Sequence, residues 1–500
     1  MSVVSSFIQL VANYFIQKQY KIHNNGIEVQ KKVLKKLIKQ AQNTHFGKEH
    51  SFDTISNYED YKAKVPLNSY ENLKKYIEEI AKGKQQVLWN AKTIYFAKTS
   101  GTTSGTKYIP ITKDSIKNHI SAARNSLFAY VAETGNADFF TKKMIFLQGS
   151  PELEMYGKIK TGRLSGIVYH HVPFWLLRNR KPSYETNCIE DWEQKVDTIV
   201  NETYMENMSL LSGIPPWCMQ YFEKLLAKTN KENLKQLFPS LQLYVYGGLN
   251  YEPYKEKMDK LLGENVDKIE TYPASEGFFA YQDSQKEKGL LLNIDSGIFY
   301  EFIRVEDYLQ GKMNRICLKD VDFNTQYVLV VSSNAGLWAY DTGDTVKFVS
   351  LKPYRIVVTG RVKHFISAFG EHVIQEEVEK AIEIMSKQFN ASVVEFTVAP
   401  FVGTENKKSY HEWFIEFTDL DINTNKIASF LDESIQEQNI YYKDLRENGI
   451  LKEAKISVVE NGGFEQYFKL KGKLGGQNKV QHLANNRELA KVLQHYVKNG

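Results

Sequence analysis

Between Tyr95 and Pro110 the chain reads Tyr-Phe-Ala-Lys-Thr-Ser-Gly-Thr-Thr-Ser-Gly-Thr-Lys-Tyr-Ile-Pro. Hydroxyls and glycines crowd together through Thr99, Ser100, Gly101, Thr102, Thr103, Ser104 and Gly105, and Lys107 closes the run. Such a loop offers backbone N–H groups and hydroxyl donors to an anion. Gly101 and Gly105 permit positive φ and close backbone approach. Lys107 adds a cation able to hold a phosphate, so the simplest ligand for this surface is a polyphosphate. The spacing is not that of a nucleotide P-loop. The two glycines are one residue too close, and Thr106 separates Gly105 from Lys107. A polar hairpin turn is the plainer alternative.

Three further clusters carry polar chemistry. Lys268 to Tyr272 reads as a strand running into Pro273, Ala274, Ser275 and Glu276; Tyr340 to Asp344 reads Tyr-Asp-Thr-Gly-Asp; Gly360-Arg361 precedes a change of pattern. Gly247-Gly248 ends another strand-like run. The tail holds Lys471, Lys473 and Lys479 around a Gly-Gly-Gln-Asn stretch. His170 and His171 are adjacent, so they cannot share one face of a helix or strand, and with no further ligands in register they suit a pocket wall better than a metal site.

The elements that must position these residues alternate. Residues 27–92 read mainly as helices, with Val33, Leu34, Leu37, Ile38 and Ala41 in a stripe. Asn68 with Glu71 resembles a capping box, and Gly83 is a natural helix stop. A helix from Thr112 places Ile116, Ile120, Ala123, Leu127 and Val131 on one face. Strands are expected at 144–150, 241–246, 268–272, 290–305 and 326–333. In such α/β traffic ligands bind at the carboxyl ends of strands. Near 358–364 the pattern restarts as a small α+β unit, with a helix over 373–389, strands at 391–399 and 410–417, two helices, and a strand at 455–460.

Five hundred residues allow several domains and a large core. With 64 basic and 59 acidic side chains the net charge is only +5 and no dense basic tract occurs, so nucleic-acid binding is not indicated. Cys188, Cys218 and Cys317 are few and scattered, which fits a reducing compartment, the cytoplasm, and offers neither a disulfide framework nor zinc spacing. Val3, Phe7, Leu10, Val11, Tyr14 and Phe15 line one face of an amphipathic N-terminal helix, expected to pack on the protein body rather than on a membrane. No 18-residue apolar run marks a membrane span.

In this order and at these separations the clusters resemble the adenylate-forming superfamily. The finer resemblance is to the acyl acid amido synthetases, the plant auxin-responsive Gretchen Hagen family with its bacterial relatives. Thr99 to Lys107 resembles its phosphate loop, Tyr272 to Glu276 its adenine and magnesium motif, Tyr340 to Asp344 its ribose motif, and Gly475 to Lys479 its C-terminal lysine motif. Phe46-Gly47-Lys48, Val65-Pro66-Leu67 and Tyr70 to Leu73 extend the likeness over nearly the whole chain.

The resemblance implies an α/β fold. A large N-terminal adenylate-forming domain, residues 1–360, has β-sheets flanked by helices plus a β-barrel-like part and binds ATP and the acyl acid. A smaller mobile α+β domain, 361–500, turns about a hinge near Gly360. It implies ATP and Mg²⁺ as cofactors, and a carboxylic acid and an amino acid as partners. Lys107 and the loop would hold phosphates, Glu276 the metal, Asp344 the ribose hydroxyls, and Lys479 (or else Lys473) the α-phosphate charge. Gly247, Gly248, Tyr272, Ala274, Ser275 and Arg361 would line the nucleotide site. The hinge departs from the superfamily pattern, since His364 stands where an acidic residue is common. Tyr156, Tyr169, His171, Phe174 and Trp175 are candidate acid-pocket walls. Coenzyme A in place of the amine, or a catalytically silent relative, are the alternative readings.

Overall fold

In the computed structural model, residues 3–100, 106–172, 178–248, 251, 254–362, 365–366, 371, 373–402, 409–418, 423–447, 451–471, 479–484 and 486–498 are described. The chain divides into two compact units. The larger comprises Met1–Leu249 with Leu261–Val358, and the smaller Asn250–Lys260 with Thr359–Gly500.

Strands rich in β-branched and aromatic residues build the larger unit's sheets. Five strands run parallel side by side: Arg180–Lys181, Lys143–Phe146, Met208–Ser212, Leu243–Gly247 and Asp267–Ala274. The central strands Met208–Ser212 and Leu243–Gly247 are apolar and mostly buried, as strands covered on both faces require. Helices Trp192–Thr203 and Pro215–Thr229 connect successive strands, and Pro215 sits at the first helical turn, where its missing N–H costs nothing. On the other side of Asp267–Ala274 the sheet continues antiparallel through Gly277–Tyr281 and Leu290–Leu292. A separate four-stranded sheet carries the hydroxyl-rich hairpin.

Helix Ser115–Thr134 covers the parallel strands, and Tyr130 and Val131 share a core cluster with Met144, Leu210, Leu243 and Ile269. The side chain of Thr112 accepts from the Ser115 N–H (3.0 Å), so it serves the helix start as expected. The capping box of helix Tyr70–Ala81 lies one residue later than the sequence suggests. Ser69 and Asn72 exchange its two hydrogen bonds, because Asn68 is buried and committed to the backbone near Trp338. Gly83 ends that helix with φ +95°.

The N-terminal helix, Val3–Asn24, corrects one expectation. Phe7, Leu10 and Tyr14 are 67%, 69% and 73% exposed. Fully buried on this helix are Ser5, Ala12, Gln19 and His23, while Ile8, Phe15 and Ile16 are half-buried against the body of the larger unit. Ser5 donates to Asp138 (2.6 Å) and Tyr20 to Asp283 (2.9 Å), so hydrogen bonds join the packing of Ile8, Phe15 and Ile16 in seating the helix. Among the described residues no helix is long and apolar enough to cross a membrane.

The smaller unit is a three-stranded sheet of Val393–Phe401, Tyr410–Phe417 and Lys455–Val459. Helices Gln375–Phe389 and Thr424–Gln438 pack on it through Val378, Ile382, Met385, Ile427, Leu431 and Ile435. Ile374, expected inside the first helix, pairs with Phe365 in a short strand just before it.

Candidate functional site

The hydroxyl-rich run begins and ends on two paired strands. Thr93–Ser100 pairs with Thr106–Thr112, with Ser100 opposite Thr106 and Thr99 opposite Lys107. Gly101, Thr102, Thr103, Ser104 and Gly105 lie outside the described residues. The stem is braced by helix Tyr70–Ala81. The Tyr70 hydroxyl accepts from the Tyr108 N–H (3.1 Å), and the Lys107 ammonium lies 5.8 Å from the centre of the Tyr70 ring. Tyr156 stacks flat on Tyr108 (4.0 Å between centroids), and His171 meets Tyr95 edge-on. A hairpin and a phosphate-facing loop are compatible readings of this one stem.

The next cluster gathers at the carboxyl ends of the parallel strands. Strand Asp267–Ala274 turns back into Gly277–Tyr281 with Ala274 opposite Gly277, so Ser275 and Glu276 are the two residues of a tight turn. Tyr272 is buried, its ring edge-on to Phe279 at 5.1 Å. Its hydroxyl donates to the Asp344 carboxylate at 2.6 Å. One strand away, Gly247 pairs with Thr271, and a Cβ at Gly247 would stand 2.2 Å from the Thr271 carbonyl oxygen. Only glycine fits there while the Thr271 hydroxyl holds the Tyr246 carbonyl at 2.9 Å.

Asp344 is aimed by a bulge. Between Val328↔Thr345 and Val330↔Asp341 the strand Tyr340–Leu351 carries extra residues, and Gly343 takes φ +73°. The turn is closed by its neighbours. Asp341 accepts from the Gly343 N–H (2.8 Å), and the Thr342 hydroxyl accepts from the Asp344 N–H (3.1 Å) while donating to the Leu329 carbonyl (2.8 Å). Turn capping thus belongs to Asp341 and Thr342, and the Asp344 carboxylate meets Tyr272 instead. Asn68, which the sequence reading placed in a helix cap, clamps this region. Its N–H donates to the Ala339 carbonyl, its carbonyl accepts from Asp341, and its amide donates to the Trp338 carbonyl (2.8 Å). A buried Asn after Pro66-Leu67 is weak sequence signal for such a clamp.

Tyr272, Ala274, Ser275, Glu276, Gly247, Gly248 and Asp344 therefore share one end of the larger unit's sheet, while Arg361 and Lys479 belong to the smaller unit. Arg361 is exposed at the end of strand Tyr354–Arg361, next to Gly360 with φ +129°, and His364 lies outside the described residues. Lys479 is exposed, and Lys473 lies outside the described residues with Gly475, Gly476, Gln477 and Asn478.

The segment after Lys479 is held firmly. The Val398 N–H donates to the His482 carbonyl, and Ala484 donates back to Val398, each at 2.8 Å. The Thr397 hydroxyl donates to the Gln481 carbonyl (2.6 Å). The His482 ring lies between Glu379 (2.7 Å) and Glu395 (3.0 Å), stacked on Phe396. Burial works against its charge, but the hydrogen bonds it donates to the two carboxylates outweigh it and raise the imidazole to about 10. Glu395 also accepts from the Tyr254 hydroxyl (3.1 Å), which lies in the segment Asn250–Lys260.

His170 and His171 turn to different partners, the Pro151 carbonyl and the Tyr95 hydroxyl. Among the described residues no three His, Cys, Asp or Glu side chains converge as a metal cage. Glu276, beside Ser275 on its turn, is a carboxylate of the kind that fits a Mg²⁺ ion held chiefly by phosphate oxygens and water, which takes only one or two protein carboxylates. Phe174 and Trp175 lie outside the described residues.

Three stretches match models of one family: residues 15–186 its "GH3 family N-terminal domain", 291–361 its "GH3 family central domain" and 376–488 its "GH3 family C-terminal domain". The chain is 22% identical to an indole-3-acetic acid-amido synthetase of Arabidopsis thaliana, over 98% of this chain and 94% of that protein. It is 21% identical to a jasmonoyl–L-amino acid synthetase of Nicotiana attenuata, over 88% and 87%. Among solved structures, the acyl acid amido synthetase AtGH3.15 in complex with 2,4-DB superposes with a TM-score of 0.80 at 16% identity, covering 97% of this chain and 96% of that one. A 2-hydroxyisobutyryl-CoA ligase in its postadenylation state reaches 0.56 at 11% identity, covering 96% and 90%. The fold is that of adenylate-forming enzymes.

Proposed function

Because the chain belongs to the GH3 family, we propose that it is an ATP-dependent acyl acid amido synthetase. A carboxylate oxygen of the acid attacks the α-phosphorus of ATP, the bond to the β-phosphate bridge breaks, and pyrophosphate leaves. The amine of an amino acid then attacks the acyl carbon, the bond to AMP breaks, and the amine's extra proton passes to solvent. Because the first step joins anions, the protein's task is positioning and positive potential.

The observation that carries this reading is the hydrogen bond from Tyr272 to Asp344. It joins the adenine and ribose motifs at one strand end and fixes one Asp344 oxygen for the nucleotide's hydroxyls, a role suited to a carboxylate. In this proposal the Thr99–Lys107 hairpin holds phosphates and Gly247-Gly248 gives the backbone room beside the base. Glu276 holds the metal, which when bound neutralises phosphate charge. Arg361 lines the nucleotide and Lys479 supplies the cation of the first half-reaction. The cytoplasm is the proposed site of action.

The test is pyrophosphate release from ATP and Mg²⁺ across a panel of carboxylic acids, with mixed amino acids, and mass spectrometry of the products. Acid-dependent pyrophosphate with an amide product is expected. A thioester formed only when coenzyme A is added would replace the amine with a thiol. Turnover surviving intact in both Glu276→Ala and Asp344→Ala would overturn the residue roles.

A further inference from the structure

Beyond strand Lys143–Phe146 the larger unit gathers three cations, Lys195 buried and Arg163 and Arg180 half-buried. Arg180, on the outermost strand, lies between two aromatic faces, 4.7 Å from the Phe146 ring centre and 4.6 Å from that of Tyr169. Its guanidinium donates to the Gln148 side-chain oxygen. Lys195 is only 4% exposed, in the first turns of helix Trp192–Thr203. Its ammonium donates to the main-chain carbonyls of Asn187 (2.6 Å) and Gln148 (3.3 Å). Arg163, at the start of helix Leu164–Tyr169, comes close because residue 149 is glycine. A Cβ there would lie 2.7 Å from the Arg163 Cδ.

Two observations set this cluster apart from an ordinary structural one. Among the described residues no carboxylate forms an ion pair with Arg163, Arg180 or Lys195. Glu202 on the adjoining helix is taken by Ser183, Thr186 and Lys181, and Glu152 stays exposed. Hydrogen-bonding capacity is also left over: the Gln148 side-chain nitrogen, the Arg180 Nε and the Asn187 side-chain oxygen are buried without partners. Buried polar atoms are nearly always paired. Burial, and to a lesser degree Arg163, lowers Lys195 to about 8, and burial lowers Arg180 to about 10. Like charges gathered out of water are costly unless an anion joins them.

Position tells which anion. Gln148 follows strand Lys143–Phe146, and a single strand, Met208–Ser212, separates that strand from Leu243–Gly247. At about 4.8 Å per strand, the cations stand roughly 10–15 Å from the Gly247 strand end along the same edge. That is too far for the reacting carboxylate and suits the other end of an extended acid.

We propose that Arg180, Lys195 and Arg163, with the Gln148 amide, form a recognition site for a second carboxylate on the acyl acid, so that the preferred substrates are dicarboxylic acids. This rests on the amido synthetase reading for its place in the reaction, though not for binding itself. The full-length protein is titrated with straight-chain α,ω-dicarboxylic acids of increasing length and with the matching monocarboxylic acids. Melting temperature is read first, then acid-dependent ATP–pyrophosphate exchange. Over a window of chain lengths, the dicarboxylic acid should raise the melting temperature and give at least tenfold higher kcat/KM than its monocarboxylic partner. In Arg180→Met and Lys195→Met that ratio should fall at least tenfold. If Lys195→Met does not fold, Arg163→Met takes its place.

The proposal is overturned if the wild type shows no preference in either readout, or if the preference survives in the variants. It is also overturned if the variants spare exchange and raise only the KM of the acceptor amino acid, which would assign the cations to the acceptor's carboxylate. Stabilisation by dicarboxylates with no exchange would keep this site and refute the adenylation reading. Exchange confined to monocarboxylic acids would do the reverse.

Discussion

Two buried clusters of charge in this chain are built on opposite plans. In the smaller unit, His482 stands between Glu379 and Glu395, with further hydrogen bonds from Gln375 and Tyr254, and its carbonyl is bound to the sheet. In the larger unit, Arg163, Arg180 and Lys195 gather with idle amide groups and, among the described residues, no carboxylate paired to them. The first is closed, each charge meeting its opposite inside the protein. The second is complete only with something the chain does not supply. Closed pairs recur elsewhere, in Arg315 with Glu301 and Arg355 with Asp283, so the exception is the cationic one. A matched cluster holds a segment in place, here the one that follows Lys479. An unmatched one stores a cost that a ligand can relieve.

The sharpest way to break the comparison is to remove the centre of the closed cluster. His482→Leu leaves two buried carboxylates facing each other and should cost about 3–5 kcal/mol, the usual penalty for breaking a buried pair from one side. Denaturant unfolding, with hydrogen exchange read over Val393–Phe401, measures it. A loss below about 1 kcal/mol would mean the cluster does not hold that strand. Lys195→Met removes one of three like charges and should change the stability of the ligand-free protein by no more than about 1 kcal/mol, since the lost hydrogen bonds to two carbonyls offset relief of repulsion.

The two clusters should also answer pH with opposite signs. His482 is raised from 6.5 to about 10 in the folded chain. Its stabilisation is fully present below pH 6.5 and is lost as pH rises through 10, because the folded state then binds more protons than the unfolded one. The loss between pH 7 and 10 should be of the order of 3–4 kcal/mol. Lys195 is depressed from 10.5 to about 8. There the unfolded state binds more protons between pH 8 and 10.5, so this group's contribution to stability rises with pH by up to about 3 kcal/mol. Melting curves of His482→Gln and Lys195→Met against wild type separate the two. A dicarboxylate bound at the cations should flatten the Lys195 component. Parallel pH profiles in all three proteins would erase the distinction.

Much of the candidate edge that joins Tyr272 to Asp344 could be picked out in the sequence because its residues are contiguous. Tyr272 to Glu276 and Tyr340 to Asp344 are short motifs at strand ends, where alternating strands and helices already indicate a ligand edge. The Gly247 requirement was half visible, a glycine pair ending a strand, but the Thr271 carbonyl that imposes it lies 24 residues further on. Neither charge cluster could be read. Glu379, Glu395 and His482 are united only when strand Val393–Phe401 pairs with the tail, and Arg163, Arg180 and Lys195 come from a helix start, an edge strand and another helix. The segment Asn250–Lys260, continuous in sequence with the larger unit, belongs to the smaller one, and composition gives no sign of it. The N-terminal stripe misled because periodicity reports that a helix has two faces. The inward face is the one that carries Ser5, Ala12 and Tyr20 together with Ile8 and Ile16, through hydrogen bonds and apolar contact.

The smallest expected effect is the most selective. Gly149→Ala introduces a methyl 2.7 Å from the Arg163 Cδ, the middle of a flexible side chain rather than backbone. Its φ is not in the left-handed region, so alanine adds no backbone strain. Arg163 can swing aside, and the stability change should stay under about 1 kcal/mol. The same swing takes one cation away from Lys195 and Arg180. The preference for a dicarboxylic acid over its monocarboxylic partner should therefore fall severalfold, less than in Arg180→Met, while the melting temperature of the ligand-free protein hardly moves. If the preference holds at the wild-type value, Arg163 is not part of the anion site and the other two cations act alone. If the melting temperature instead drops by many degrees, Gly149 is a packing requirement of the fold, and the cluster is closer to the closed plan than its idle hydrogen-bonding groups suggest.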